Sequence, residues 1–137
     1  MLTERPWGQV ECLGDGGPYK VSRLTINPGQ RTSLHSHRFR REVLTVVQGH
    51  VQFSIAGTVF AALEGQTIHI GYGDIHRIQN LGSTPVIVIE TRIGTDCCDS
   101  DIYRYEDDYG RHQERLAQAG DVTGTCRQMA ATPNEVV

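Results

Sequence analysis

Three histidines and a glutamate stand out by residue type and spacing: His35-x-His37-x4-Glu42, and then His76 in the block Gly65-x5-Gly71-Tyr72-Gly73-x2-His76-x3-Asn80. Imidazole nitrogens with one carboxylate oxygen form a mixed donor set suited to a divalent transition metal. On a strand, residues two apart point to one face, so His35 and His37 are paired. Glu42 lies five residues beyond His37, and an unbroken strand would turn it to the other face. A loop within Arg38-Phe39-Arg40-Arg41 removes that conflict and lets the next strand carry Glu42 back beside the imidazoles. His76, after its own glycine turn, supplies the third imidazole. Brought together inside a barrel, the four side chains would hold one divalent ion. Their types do not choose among Zn, Mn, Fe, Co and Ni. His50, His69 and His112 lack this pairing and read as ordinary strand, turn or helix-edge residues.

Cations near this constellation suggest an anionic substrate. The 13 basic residues are 12 arginines and a single lysine, Lys20. In the run YKVSRLTI, Lys20 and Ser22 share a face with Leu24 and Ile26. With that face turned inward, Lys20 reaches toward the metal cavity, where an ammonium would hold an anionic group. Arg38, Arg40 and Arg41 fall on the expected loop at the cavity mouth. Arg41 is taken as the guanidinium that grips the substrate, and the other two as a solvated rim.

These side chains need elements to position them. From Tyr19 to about Ile93 the chain is a series of short β-branched runs, YKVSRLTI, EVLTVVQ, VQFSIA, TIHI, HRIQN and PVIVIET, separated by glycine turns. Such spacing without intervening helical periodicity predicts an all-β antiparallel sandwich or barrel. The 15 glycines in 137 residues are accounted for as turn chemistry. The length fits one domain. A formal net charge of −3 argues against a general nucleic-acid binder. There is no apolar run long enough for a membrane helix, and residues 1–10 lack a signal-peptide pattern, so a cytoplasmic location is expected. Cys12, Cys97, Cys98 and Cys126 show no C-x2-C spacing, so free thiols are expected rather than a zinc ribbon or a redox motif. A barrel domain over residues 1–111 is expected, followed over 112–137 by a short helical segment, starting near Gly110, and a loosely held tail.

The two blocks resemble the two sequence motifs of the cupin superfamily, with Gly71 standing where proline is usual. That resemblance implies a small double-stranded β-helix (jelly-roll) barrel with His35, His37, Glu42 and His76 as metal ligands. It extends further, through Arg5-Pro6-Trp7-Gly8, Tyr19-Lys20-Val21 with Arg23, and Asp101-Ile102 to Tyr109-Gly110-Arg111. Over roughly Arg5 to Arg111 the chain resembles the type II mannose-6-phosphate isomerases, usually the C-terminal domain of bifunctional mannose-1-phosphate guanylyltransferases. That group typically reads Gln-x-His-His-His-Arg-x-Glu-His-Trp. Here the stretch is His35-Ser36-His37-Arg38-Phe39-Arg40-Arg41-Glu42-Val43-Leu44.

The resemblance implies a metal-dependent aldose–ketose isomerase for a phosphosugar. Glu42 is the candidate base and Lys20 a catalytic cation, with Arg111 a second phosphate ligand by resemblance. No phosphate-cradling glycine loop is present, so guanylyl transfer is not expected. Other readings of the same donor set are a three-His, one-Glu dioxygenase and a non-catalytic metal or sugar-binding module. Exposed barrel edges, and the habit of cupins to pair through them, predict a homodimer. No nucleic-acid or membrane partner is expected.

Overall fold

The computed structural model describes residues 1–111, and the helical segment and tail expected over 112–137 lie outside the described residues. The described residues form eleven strands: β1 (Leu2–Arg5), β2 (Gly8–Asp15), β3 (Tyr19–Ile26), β4 (Leu34–Ser36), β5 (Arg40–Gln48), β6 (Val51–Ile55), β7 (Thr58–Ala62), β8 (Thr67–Ile70), β9 (His76–Gln79), β10 (Val86–Gly94) and β11 (Tyr103–Glu106). All pairings are antiparallel. A six-stranded sheet, β1-β2-β3-β10-β5-β8, faces a five-stranded sheet, β11-β4-β9-β6-β7. This is the expected all-β barrel, and among the described residues no helix is long and apolar enough to cross a membrane.

The expected runs coincide with β3, β5, β6, β8, β9 and β10. The strands outside the expected runs are β1, β2, β4, β7 and β11; β1, β2 and β4 are short or polar with little β-branched character, whereas β7 (TVFAA) has it in a run of only five residues. The β6–β7 hairpin turns on Ala56 and Gly57, with φ of 49° and 86°. Positive φ at both central residues matches the right-handed twist of the flanking strands.

Strand register divides the interior into an apolar end and a charged end. Across β3, β10 and β5, Leu24, Val88 and Val46 form one inward row, and Ile26 and Val86 extend it. Phe53, Val51, Ala62 and Ile78 close over them from the other sheet, all buried. Moving the other way along the same strands, the inward rows become Ser22, Glu90 and Leu44, then Lys20, Arg92 and Glu42. Alternation is unbroken while the chemistry changes, so one end of the barrel is a packed core and the other a polar cavity.

Cysteine chemistry departs from expectation in part. Cys12 and Cys97 carry free thiols, which rules out an adjacent Cys97–Cys98 bond, whereas Cys98 is disulfide-bonded.

Candidate metal centre

At the polar end a cavity of about 540 Å³ opens between the sheets. Its floor holds His35 from β4, His76 from β9 and His37 from the segment after β4. His35 and His76 are direct cross-strand partners. The ring centroids lie 4.9 Å (His35–His37), 4.4 Å (His35–His76) and 5.1 Å (His37–His76) apart. One ligand nitrogen from each falls within 4.8 Å of the others. The break expected after His37 is present but shorter: it spans His37 to Phe39, and Arg40 already begins β5.

All three imidazoles are oriented in the same way. The Nδ1–H of His35 donates to the Ser33 carbonyl at 2.8 Å, that of His37 to the Asp101 carbonyl at 2.7 Å, and that of His76 to the Asp74 carbonyl at 2.8 Å. A carbonyl only accepts, so each proton sits on Nδ1 and each Nε2 presents a lone pair to the shared space. Burial is the largest influence on all three and depresses their pKa, that of His37 to about 3, which keeps them neutral. Backbone contacts also couple the ligand loops: Gly73 donates to the His37 carbonyl at 2.8 Å, and Asp74 Oδ2 accepts from the Gly71 amide at 2.9 Å.

Glu42 is 2% exposed and stands beside this cluster, with Oε2 3.2 Å from His37 Nε2 and Oε1 3.7 Å from His76 Nε2. A carboxylate oxygen facing an imidazole lone pair is repulsive unless a cation or proton lies between them, and at His37 Arg40 is that cation, its Nη2 donating to His37 Nε2 at 3.3 Å and its Nε to Glu42 Oε2 at 2.9 Å. Burial alone would raise the Glu42 pKa, yet nearby positive charge, with the Arg40 and Arg92 guanidiniums its permanent members, holds it well below the usual carboxylate range. Three converging lone pairs and an anion therefore fit a divalent cation.

Arg40 is the cation that sequence alone misplaced. It is 3% exposed, with Nε donating to Glu42 Oε2 at 2.9 Å and Nη1 donating to the Cys98 carbonyl at 2.6 Å. Arg41, the expected substrate grip, is exposed and on the outer face, because adjacent strand residues point to opposite sides. Arg38 is also exposed, stacked at 5.3 Å over Tyr103. Lys20 lies on the inward face as expected, beyond the cavity lining, with Nζ 3.9 Å from Asp99 Oδ1. Arg111 reaches the cavity wall with its guanidinium held by Asp107 at 2.8 and 3.0 Å.

Glu90, Arg92, Asp99 and Asp101 had no site role in the sequence reading. Glu90 and Arg92 share parity with Val86 and Val88, so charged residues at core-facing positions were the available signal. Arg92 Nε donates to Glu90 Oε1 at 2.9 Å. Asp101 is 2% exposed and clamps the ligand loop: Oδ1 and Oδ2 accept from the Arg38 and Phe39 amides at 3.1 and 2.9 Å, while its carbonyl holds His37. Asn80, buried, organises its turn through Ile26, Thr84 and Gly82.

Comparison with known proteins agrees with this architecture. Residues 2–107 match the family model described as mannose-6-phosphate isomerase C-terminal. The alginate biosynthesis protein AlgA of Pseudomonas aeruginosa is 37% identical over 114 residues, covering 83% of this chain and 24% of that protein. The mannose-1-phosphate guanylyltransferase ManC of Salmonella typhimurium is 37% identical over 107 residues, covering 78% of this chain and 22% of its own length. The chain thus spans about a quarter of the length of the curated relatives it matches. Among solved structures, KdgF from Halomonas superposes with a TM-score of 0.64 at 16% identity, covering 69% of this chain and 87% of that one. A cupin-superfamily sugar phosphate isomerase from Silicibacter pomeroyi gives a TM-score of 0.57 at 21% identity, with coverages of 62% and 58%. These likenesses place the fold among the cupins.

Proposed function

The chain belongs to the mannose-6-phosphate isomerase C-terminal family, and from that premise we propose that it is a metal-dependent aldose–ketose isomerase acting on a phosphosugar. Mannose 6-phosphate is the first substrate to test. The observation that carries this reading is the set of three imidazoles locked with Nε2 toward one point, on the floor of a cavity able to admit a sugar. The cavity walls suit an anionic substrate, since five arginines (Arg5, Arg40, Arg92, Arg104, Arg111) face four carboxylates (Glu4, Glu42, Glu90, Asp99) there.

His35, His37, His76 and Glu42 would hold the metal, which when bound polarises the sugar carbonyl as a Lewis acid. The protein must then move one proton between C1 and C2. Glu42 is poorly placed to do so, because Oε2 is engaged by Arg40 and both oxygens face imidazoles. Glu90 suits the task better. It lines the cavity at 6% exposure, and Oε1 alone has a hydrogen bond among the described residues. Burial, the largest influence, and the Glu42 charge raise its pKa against the pull of Arg92 and Arg40, in the direction a general base needs. In this reading Glu90 removes the C2 proton of the aldose and delivers it to C1 through an enediol, while the O2 hydroxyl proton passes to O1. Glu42, expected both as ligand and as base, keeps only the ligand role in this reading.

A coupled assay tests the proposal: NADPH formation from mannose 6-phosphate through auxiliary isomerase and dehydrogenase, with each of Zn, Mn, Fe, Co and Ni supplied in turn. Turnover that His76→Ala abolishes together with metal binding is expected. Absence of turnover with every metal refutes it. Oxygen uptake on a diketone or thiol would instead favour the dioxygenase reading, for which three imidazoles and a carboxylate around iron are equally suited.

A further inference from the structure

Three cations remote from one another in sequence converge on a single carboxylate. Arg5 ends β1, Lys20 stands near the start of β3 and Arg92 lies toward the end of β10. Arg5 Nη2 donates to Asp99 Oδ2 at 2.9 Å, Arg92 Nη1 donates to Asp99 Oδ1 at 2.7 Å, and Lys20 Nζ lies 3.9 Å from Oδ1. The side chains of Arg5, Lys20 and Arg92 are 27%, 21% and 9% exposed, whereas that of Asp99 is 55% exposed. The anion is thus the most accessible member of the group. Glu90 takes the remaining face of Arg92 through Nε, and the balance around Asp99 still stays positive. Arg5, Arg92 and Asp99 line the same cavity as the imidazoles.

A cation surplus partly withdrawn from water, beside a cavity, attracts an anion of higher charge than one carboxylate. A phosphate monoester carries about −1.5 to −2 charges at neutral pH and three acceptor oxygens. The two Asp99 oxygens already imitate two of these, one on each arginine. The third would fall to the lysine, which acts as a point charge without the fixed geometry of a guanidinium. Burial acts to raise the Asp99 pKa, yet Arg92, Lys20 and Arg5 hold it at about 2, the same attraction a phosphate would feel.

We propose that Arg5, Lys20 and Arg92 form the phosphate seat for a phosphomonoester substrate, and that the Asp99 side chain occupies this seat as a stand-in anion until the substrate displaces it. This inference rests on the phosphosugar reading above and gives the only lysine in the chain a defined role. Asp99 lies on a turn closed by the Asp101 amide donating to the Cys98 carbonyl at 3.1 Å, so its half-exposed side chain swings outward without breaking a strand.

The test is calorimetric titration of inorganic phosphate into the metal-free 137-residue protein at low ionic strength. Asp99→Asn removes the competing charge at nearly constant shape and should tighten phosphate binding at least about tenfold. Lys20→Met and Arg5→Met should each weaken it by about three- to tenfold. Thermal melts of each variant establish that it is folded, and all three side chains are accessible enough to be replaced without opening the core. Phosphate binding no tighter in Asp99→Asn than in wild type overturns the proposal, as does unaltered binding in Lys20→Met and Arg5→Met. The titration needs neither metal nor turnover. Phosphate binding with the expected variant pattern, but no isomerase activity, supports the seat and removes the isomerase reading. Isomerase activity with phosphate binding indifferent to these variants does the reverse.

Discussion

Asp101→Ala should damage the proposed metal centre without removing any of its four proposed ligands. The Asp101 carboxylate is buried and accepts hydrogen bonds from the Arg38 and Phe39 amides at 3.1 and 2.9 Å. Hydrogen bonds to a charged group contribute about 1.5–3 kcal/mol each, and a buried donor left unpaired costs about 1–3 kcal/mol. Allowing for water entering the space left by the side chain, the loss is about 2–4 kcal/mol, or a melting temperature lower by about 10 °C or more. The carbonyl that orients His37 survives in alanine, but the loop that presents it is no longer pinned. Disturbing the partner that orients a ligand typically lowers metal affinity about 10- to 100-fold. Urea unfolding of the metal-free protein measures the first effect, and competition with a chromophoric chelator the second. Val51→Ala, in the apolar half of the barrel, serves as a control that loses comparable stability while retaining metal affinity. If Asp101→Ala is destabilised but binds metal as tightly as wild type, the clamp does not position His37. If neither quantity moves, the account of the buried carboxylate is wrong.

Other consequences are open to equally direct measurement. In the metal-free protein, the depressed pKa of His37, His35 and His76 means the unfolded chain takes up protons that the folded imidazoles refuse. Stability is therefore full above pH 6.5 and falls as pH drops toward about 3; melting curves across that range should show this, and a flat profile down to pH 4 would contradict it. Gly94→Ala would place a methyl 2.3 Å from the Phe39 carbonyl oxygen and 2.7 Å from Arg40 Cα. Relieving that overlap must move the β5–β10 contact, costing about 1–3 kcal/mol and lowering metal affinity; a variant with wild-type melting and affinity would show that the contact yields freely. Among the described residues strand β1 has no further neighbour at the edge of the six-stranded sheet, and with Leu2 and Leu13 exposed we propose that two copies associate there. Solution scattering should return twice the chain mass, and a monomeric mass would exclude the dimer.

What could be read from sequence follows from the short range of strand chemistry. A period of two within a run is local information. It marked β3, β5 and β10 and put Lys20 on the inward face; applied one residue earlier in β5, it also separates inward Arg40 from outward Arg41. Glycine turns located the breaks between strands, and the types and spacing of His35, His37, Glu42 and His76 marked out side chains that could hold a transition metal, of which the three imidazoles meet in the fold.

The tertiary structure decided which groups meet across the barrel. Ser33, Asp74 and Asp101 fix the histidine tautomers through backbone carbonyls, and a carbonyl is the same in every residue, so no sequence pattern announces it. Asp99 gathers Arg5, Lys20 and Arg92 only because β1, β3 and β10 lie in one sheet, β1 separated from β3 by β2, and the segment after β10 folds back across their ends. Register and sheet packing bring distant charges within a few ångströms, and that convergence is a property of the closed barrel rather than of any one strand.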